Sequence, residues 1–441
     1  MNSRKLAIHV LDSVLNNGAY SNVALNNALR ASDLNMKDKA LATEIVYGTI
    51  KYKQSIDDII SLYVRDISLI NKEIINILRS AVYQIKYLDK IPPYAAVNEA
   101  VDISKKQSVG ASKFVNGVLR NFLRNKDREP VFKDEISKIA FKYSFPKWMV
   151  KSFIAQYGEE KTMEILEGLN KTPKVTVRVN ALKASFEDVF EELENEGYDI
   201  SEGYASPDAI IIDRGSSIEE NPAFKEGKII VQDESAMLVA PILDLEENSI
   251  AADICAAPGG KSTHMAEIMN NKGKVFSFDL HANKLSRIED NARRLGIDII
   301  QTEAQDATIF NESLENSFDR ILLDVPCSGL GIIRKKPEIK WQKDLKSLKE
   351  IQEIQKKILD NTWKYLKNGG IMVYSTCTLN KNENEEIVRY LLTNNKDCEV
   401  NKIYIGNLPN FSYNKDGTLT ILPNEYMDGF FIAKLTKRQV E

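Results

Sequence analysis

Two of the four cysteines close short apolar runs. Cys327 ends "LLDVPC" (322–327) and Cys377 ends "MVYSTC" (372–377). If the two runs are neighbouring strands of one sheet, strand spacing puts the thiols about 5 Å apart. Zinc is a poor explanation: there is no C-x-x-C, and His9, His264 and His281 are scattered. Wide spacing and an expected reducing, cytoplasmic setting argue against a disulfide framework. Simple packing is the ordinary role of a free cysteine and suits Cys255 and Cys398. It suits Cys327 and Cys377 less, because both sit in polar, turn-like strand ends. A reactive pair remains, and these residues alone leave open which thiol attacks.

A second constellation lies upstream. "AADICAAPGGKSTHMAEIM" sets a turn of small residues, Cys255-Ala256-Ala257-Pro258-Gly259-Gly260-Lys261, between a strand and a helix. Small residues let a ligand approach the backbone, and the helix start offers unpaired N–H groups. The turn is neither G-x-G-x-x-G nor a P-loop. Asp279 ends the next strand, where doubly wound folds place an acid on ribose hydroxyls. Asp306 follows the third strand, within reach of an adenine amino group, and Asp324 ends the fourth. Any one aspartate could simply cap a turn; four features in register at one rim point to a nucleoside-containing cofactor.

A thiol beside such a cofactor suits one chemistry well. Carbon 5 of cytosine is a weak nucleophile. Addition of a thiolate to carbon 6 makes it enamine-like and able to attack an electrophilic methyl group. The carbon 5 proton must then leave and the thiol be expelled, which a second thiol could assist. Asp324 is placed to hold the base and stabilise developing charge.

The elements that must position these groups follow from periodicity. From residue 232 onward, "SIAADI", "KVFSFD", "DIIQT", "DRILLDV" and "GIMVYST" alternate with helical patterns, which predicts a parallel sheet covered on both faces. The tail "LTILPNEYMDGFFIAKL" predicts a hairpin at the sheet edge. Residues 140–231 predict a small α+β module, with Val175, Val177 and Val179 alternating on a half-buried strand and a helix capped by Ser185 and stopped near Gly197. Residues 1–130 predict an all-helical bundle, and 232–438 the catalytic domain.

The chain has 441 residues and a net charge of −4, so it is not basic as a whole. Two stretches are: Lys105, Lys106, Lys113, Arg120, Arg124, Lys126 and Arg128 against Asp127 alone, and Arg334, Lys335, Lys336, Lys340 and Lys343. Such stripes fit a polyanion held at chosen places, or a solvated helix face. No apolar run is long enough for a membrane helix and no export signal is visible.

The motifs D253-I-C-A-A-P-G-G-K261, D324-V-P-C-S-G329 and S375-T-C-T378 resemble those of the RNA 5-methylcytosine methyltransferases that use S-adenosyl-L-methionine. Arg178 and Asn180 in "VRVN" match the small domain's motif. The first 128 residues resemble the NusB-like helical RNA-binding domain, in "RKLAIHVLDSVLNNGAYSNVALN" and "FVNGVLRNFLR" among others. The domain order is similar to the bacterial 16S ribosomal RNA enzymes of the RsmB type. The resemblance implies a NusB-like bundle, a small RRM-like α+β module and a Rossmann-like class I methyltransferase domain. It implies that Cys255 to Lys261, Asp279, Asp306 and Asp324 line the cofactor pocket, that Cys377 is the nucleophile and that Cys327 serves product release. It also implies 16S ribosomal RNA, naked or in an early assembly intermediate, as partner, with no metal and no membrane. A monomer is the default. The catalytic motifs alone would equally fit a tRNA enzyme, and an inactive RNA-binding factor is the alternative outside catalysis.

Overall fold

Ten α-helices lie between Ser3 and Gly168; seven fall within the predicted bundle of residues 1–130, and the other three lie beyond it. Asn2, Asn35, Asn71, Ser108 and Asp134 cap helices among them with side-chain oxygens, each accepting an otherwise orphaned N–H. Leu6, Leu11, Ile45, Leu78, Val115 and Leu119 share their buried core. The computed structural model describes residues 2–215 and 217–439 and divides into two units. The helical unit comprises Met1–Asn170 and also Ile333–Asp344. The second comprises Lys171–Ile332 and Leu345–Glu441.

The excursion of 333–344 corrects one expectation. The stripe beginning at Arg334 is not a free basic surface, because Arg334 and Lys340 are buried. Lys340 is 1% exposed, and its ammonium donates to the carbonyls of Lys51 (3.2 Å) and Ser144 (3.0 Å) and to Asn170 Oδ1 (2.9 Å). It also lies 3.7 Å from the centre of the Phe145 ring. Two residues earlier, Glu338 accepts from the N–H (3.0 Å) and hydroxyl (2.7 Å) of Ser21, and the Trp341 indole donates to Ile50 O at 2.8 Å. Charged residues reach the interior only with such partners. The other stripe, from Lys105 to Arg128, is exposed at every basic position.

The second unit carries two sheets. The smaller holds β1 (Val175–Val179), β2 (Asp199–Glu202), β3 (Ala209–Arg214) and β4 (Ile229–Val231), all antiparallel, in the order β2-β3-β1-β4. The helix Phe186–Asn195 covers it, with Ser185 as the expected cap. On β1 the expected alternation is incomplete, because Thr176 and Arg178 are buried as well as Val177 and Val179.

The larger sheet contains β5 (Ile250–Asp253), β6 (Lys274–Asp279), β7 (Ile300–Ala304), β8 (Phe318–Asp324), β9 (Leu366–Thr376), β10 (Cys398–Asn401), β11 (Phe411–Tyr413), β12 (Leu419–Ile421) and β13 (Phe430–Lys437). Its order is β11-β12-β13-β9-β8-β5-β6-β7, and β10 pairs with β13. The five parallel strands run β7-β6-β5-β8-β9, so the order reverses between β5 and β8. Ligands bind beyond the carboxyl ends at such a switch point. The predicted tail hairpin is β12–β13, and β13 lies antiparallel to β9.

Candidate active site

β8 and β9 are neighbours in register, with Asp324 beside Ser375, so the turns after them leave the sheet together. The sulfurs of Cys327 and Cys377 are 3.2 Å apart, both half-buried. Gly331 N–H donates to Cys377 O and Gly429 N–H donates to Gly331 O, both at 2.9 Å, which laces three loops together. A Cβ on Gly331 would stand 2.0 Å from Gly429 O and 2.8 Å from Cys377 O, so only glycine fits there.

Asp324 bridges the thiols to the glycine turn. One oxygen accepts from Ser375 Oγ at 2.8 Å and the other from Lys261 Nζ at 2.7 Å. Burial pulls the Lys261 ammonium down, but Asp324, then Asp253 and Cys377, outweigh it and hold Lys261 above its ordinary value. Cys327 is pushed well above the usual thiol range by its hydrogen bond to Cys377, by burial and by the charges of Glu383 and Asp324. Cys255 is also pushed up, by burial and then by Asp253, Asp324 and Asp279. Burial pushes Cys398 up to about 12, and it packs in the apolar core.

The remaining predicted residues share the rim. Asp279, at the end of β6, accepts from Ala257 N–H (3.3 Å) and His281 N–H (3.0 Å), so it shapes the turn of Cys255 to Lys261 directly. Asp306 follows β7 and spends one oxygen on the N–H and hydroxyl of Thr308. Asp253 accepts from Ser262 Oγ at 2.7 Å, and burial pushes its carboxyl up to about 7. Arg178 and Asn180 tie the small sheet to the glycine turn and to the helices Gly260–Ile268 and Ala282–Leu295. Arg178 pairs with Glu267 at 2.7 Å and donates to Gly260 O at 3.0 Å; Asn180 donates to Gly227 O and Leu295 O, both at 2.9 Å.

Sequence reasoning quoted Ser328 and Thr378 only as letters of the two cysteine motifs and missed the other polar residues behind the thiols: Gln355, Asn380 and Glu383. The signal lay in "NKNENEE" (380–386), which looks like an ordinary helix start although Asn380, Glu383 and Asn384 are buried.

Residues 240–436 match the family model described as 16S rRNA methyltransferase RsmB/F. Residues 1–124 match the NusB family, and 145–219 a ferredoxin-like domain of the RsmF/B-like methyltransferases. A protein of Bacillus subtilis (strain 168) named probable ribosomal RNA small subunit methyltransferase B is 38% identical, over 99% of this chain and 98% of its own. The chain belongs to the ribosomal RNA small subunit methyltransferase B family. A member from Escherichia coli O1:K1 is 32% identical over 99% of each chain. The crystal structure of PH0851 is 28% identical, covers 99% of each chain and superposes with a TM-score of 0.85. A methyltransferase homolog from Pyrococcus horikoshii is 30% identical, with a TM-score of 0.61 over 69% of this chain and 100% of its own.

Methyltransferase B family members depend on S-adenosylmethionine, and this rim fits it. Asp253 Oδ1 and Gln305 Oε1 are buried without a protein partner. A Cβ on Gly260 would meet nothing closer than Gln232 at 3.8 Å, so the turn is open to a ligand. Asp279 bonds to the turn, and Asp306 follows the neighbouring strand β7.

Proposed function

We propose that this chain methylates carbon 5 of a specific cytosine in 16S ribosomal RNA through a covalent adduct between Cys377 and carbon 6. The observation that carries the proposal is the 3.2 Å thiol pair beside the Asp324–Lys261 ion pair at the switch point. When bound, S-adenosylmethionine supplies an electrophilic methyl group.

The chain's own residues do the rest. Cys377 loses its proton to solvent and attacks carbon 6. The Cys327 S–H lies within hydrogen-bond reach of that sulfur. Asp324, fixed by Ser375 and Lys261, holds the base edge as carbon 5 gains electron density. After transfer, carbon 5 gives up its proton to water, the carbon 5–carbon 6 double bond reforms, and the carbon–sulfur electrons return to Cys377. Cys327 stays protonated because its thiol is held well above the usual range, so it can donate to the departing sulfur. The choice of Cys377 as attacker rests on the resemblance.

A stacked base hides carbon 6 from a thiol, so the substrate is a flipped or single-stranded nucleotide. The exposed stripe of Lys105, Lys106, Lys113, Arg120, Arg124, Lys126 and Arg128 suits contact with the surrounding phosphates. No helix among the described residues is long and apolar enough to cross a membrane. We assign the enzyme to the cytoplasm, where free thiols persist. The test is 5-methylcytosine mapping in 16S rRNA from cells with and without the gene. Loss of one modified cytosine is expected. An unchanged 16S pattern, or loss of a tRNA site instead, would refute the substrate.

A further inference from the structure

The two thiols hang from turns after different strands, and no disulfide holds them 3.2 Å apart. A fully buried carboxylate lies behind them. Glu383 is 0% exposed. One of its oxygens accepts from Ser328 N–H (2.7 Å) and Gln355 Nε2 (3.3 Å). The other accepts from the Ser328 hydroxyl (2.6 Å) and Asn380 Nδ2 (2.9 Å). Ser328 directly follows Cys327, and Asn380 lies shortly after Cys377. The Ser328 hydroxyl also meets Thr378 Oγ1 at 2.8 Å, and Gln355 donates to Pro326 O at 3.0 Å.

We propose that Glu383 is a positioning residue for the release half of the reaction, clamping the Cys327 turn against the Cys377 turn so that the Cys327 S–H can donate to the departing sulfur. The inference rests on the proposed function. Each oxygen of Glu383 takes two donors, which only an ionised carboxylate satisfies fully. An amide would set its NH2 against at least one N–H donor, and aspartate would fall short of the turn. The charge acts in the same direction as the geometry, since Glu383 is among the groups that hold Cys327 protonated. In the step it serves, the carbon 6–sulfur bond breaks and its electron pair goes to Cys377. The carbon 5 proton passes to water, and Cys327 keeps its own proton throughout.

The test compares full-length wild type, Glu383→Gln, Cys327→Ala and the double variant on an unmodified 16S rRNA transcript. Glu383→Gln should lower kcat at least about tenfold, with RNA KM and S-adenosylmethionine binding within about threefold of wild type. Its protein–RNA adduct should accumulate on a denaturing gel, as for Cys327→Ala. In the Cys327→Ala background the same change should add less than about twofold, because the thiol it positions is gone. Wild-type turnover by Glu383→Gln, a loss of turnover without adduct, or full additivity would overturn the clamp. If Glu383→Gln fails to fold, Ser328→Ala takes its place. It removes the hydroxyl shared by Glu383 and Thr378, keeps the Ser328 N–H contact, and is judged by the same outcomes. A wild-type enzyme that makes no 5-methylcytosine would overturn the proposed function itself.

Discussion

Arg178→Met is the substitution whose cost can be worked out most fully. The guanidinium is completely buried and carries Glu267, whose side chain is only 5% exposed, through bonds of 2.7 and 3.1 Å. Methionine fills similar volume but leaves Glu267 buried without its cation. Breaking a buried pair from one side costs about 3–5 kcal/mol. With a urea slope of about 3 kcal/mol/M, the unfolding midpoint should fall by about 1–1.7 M. The transition to follow is the one S-adenosylmethionine shifts upward, since that ligand binds only the folded catalytic unit. The pH dependence has a definite sign. Burial already raises the Glu267 pKa above 4.5 and Arg178 lowers it, so losing Arg178 raises it further. The folded variant then binds a proton that the unfolded chain has released, and its deficit must grow between pH 5 and pH 8. Arg178→Met/Glu267→Met should recover more than half of the loss. A midpoint shift below about 0.3 M, or a deficit flat with pH, would refute this reasoning.

The buried Lys340 makes a related prediction in the helical unit. Its pKa is held well below the ordinary value, by burial and then by Lys51, so between that lowered pKa and 10.5 the folded state binds fewer protons than the unfolded chain. Wild type should therefore gain stability in the helical transition as pH rises towards 10.5, and Lys340→Met should lose that slope in urea titrations on the alkaline side. Gly331→Ala drives a methyl into Gly429 O and should misplace the Cys327 turn, lowering kcat about a hundredfold or more while S-adenosylmethionine binding by calorimetry persists. Cys255→Ala should still form the RNA adduct on a denaturing gel, because its thiol is held protonated by burial and three carboxylates.

Much of this site was legible because its signals are local. Continuous apolar strands alternating with helices announce a doubly wound sheet, and that fold puts the ends of its fourth and fifth strands side by side. Cys327 and Cys377 could thus be paired before their separation was known. Buried charge was not legible, because its partners are remote in the chain. Lys340 reads as one more lysine in a basic run; its acceptors at 51, 144 and 170 come from elsewhere in the helical unit. Arg178 looks like the polar face of an alternating strand, yet that face is covered too. Glu383 hides in a run that any solvated helix start could contain. The attacker could not be chosen from spacing, since both cysteines end equivalent strands. Cys327 is held protonated chiefly by its hydrogen bond to Cys377 and by burial, so the choice of attacker stays the one that the resemblance implies.

Attack of Cys377 on carbon 6 of a cytosine in 16S rRNA leaves a covalent mark that can be located on the chain. The most direct measurement is mass spectrometry of the nucleotide-linked peptide after the full-length enzyme, its cofactor and the 16S transcript react and are digested. A cytosine adduct is expected on Cys377, enriched in Cys327→Ala and absent from Cys377→Ala. An adduct on Cys327, or one that survives Cys377→Ala, would contradict it.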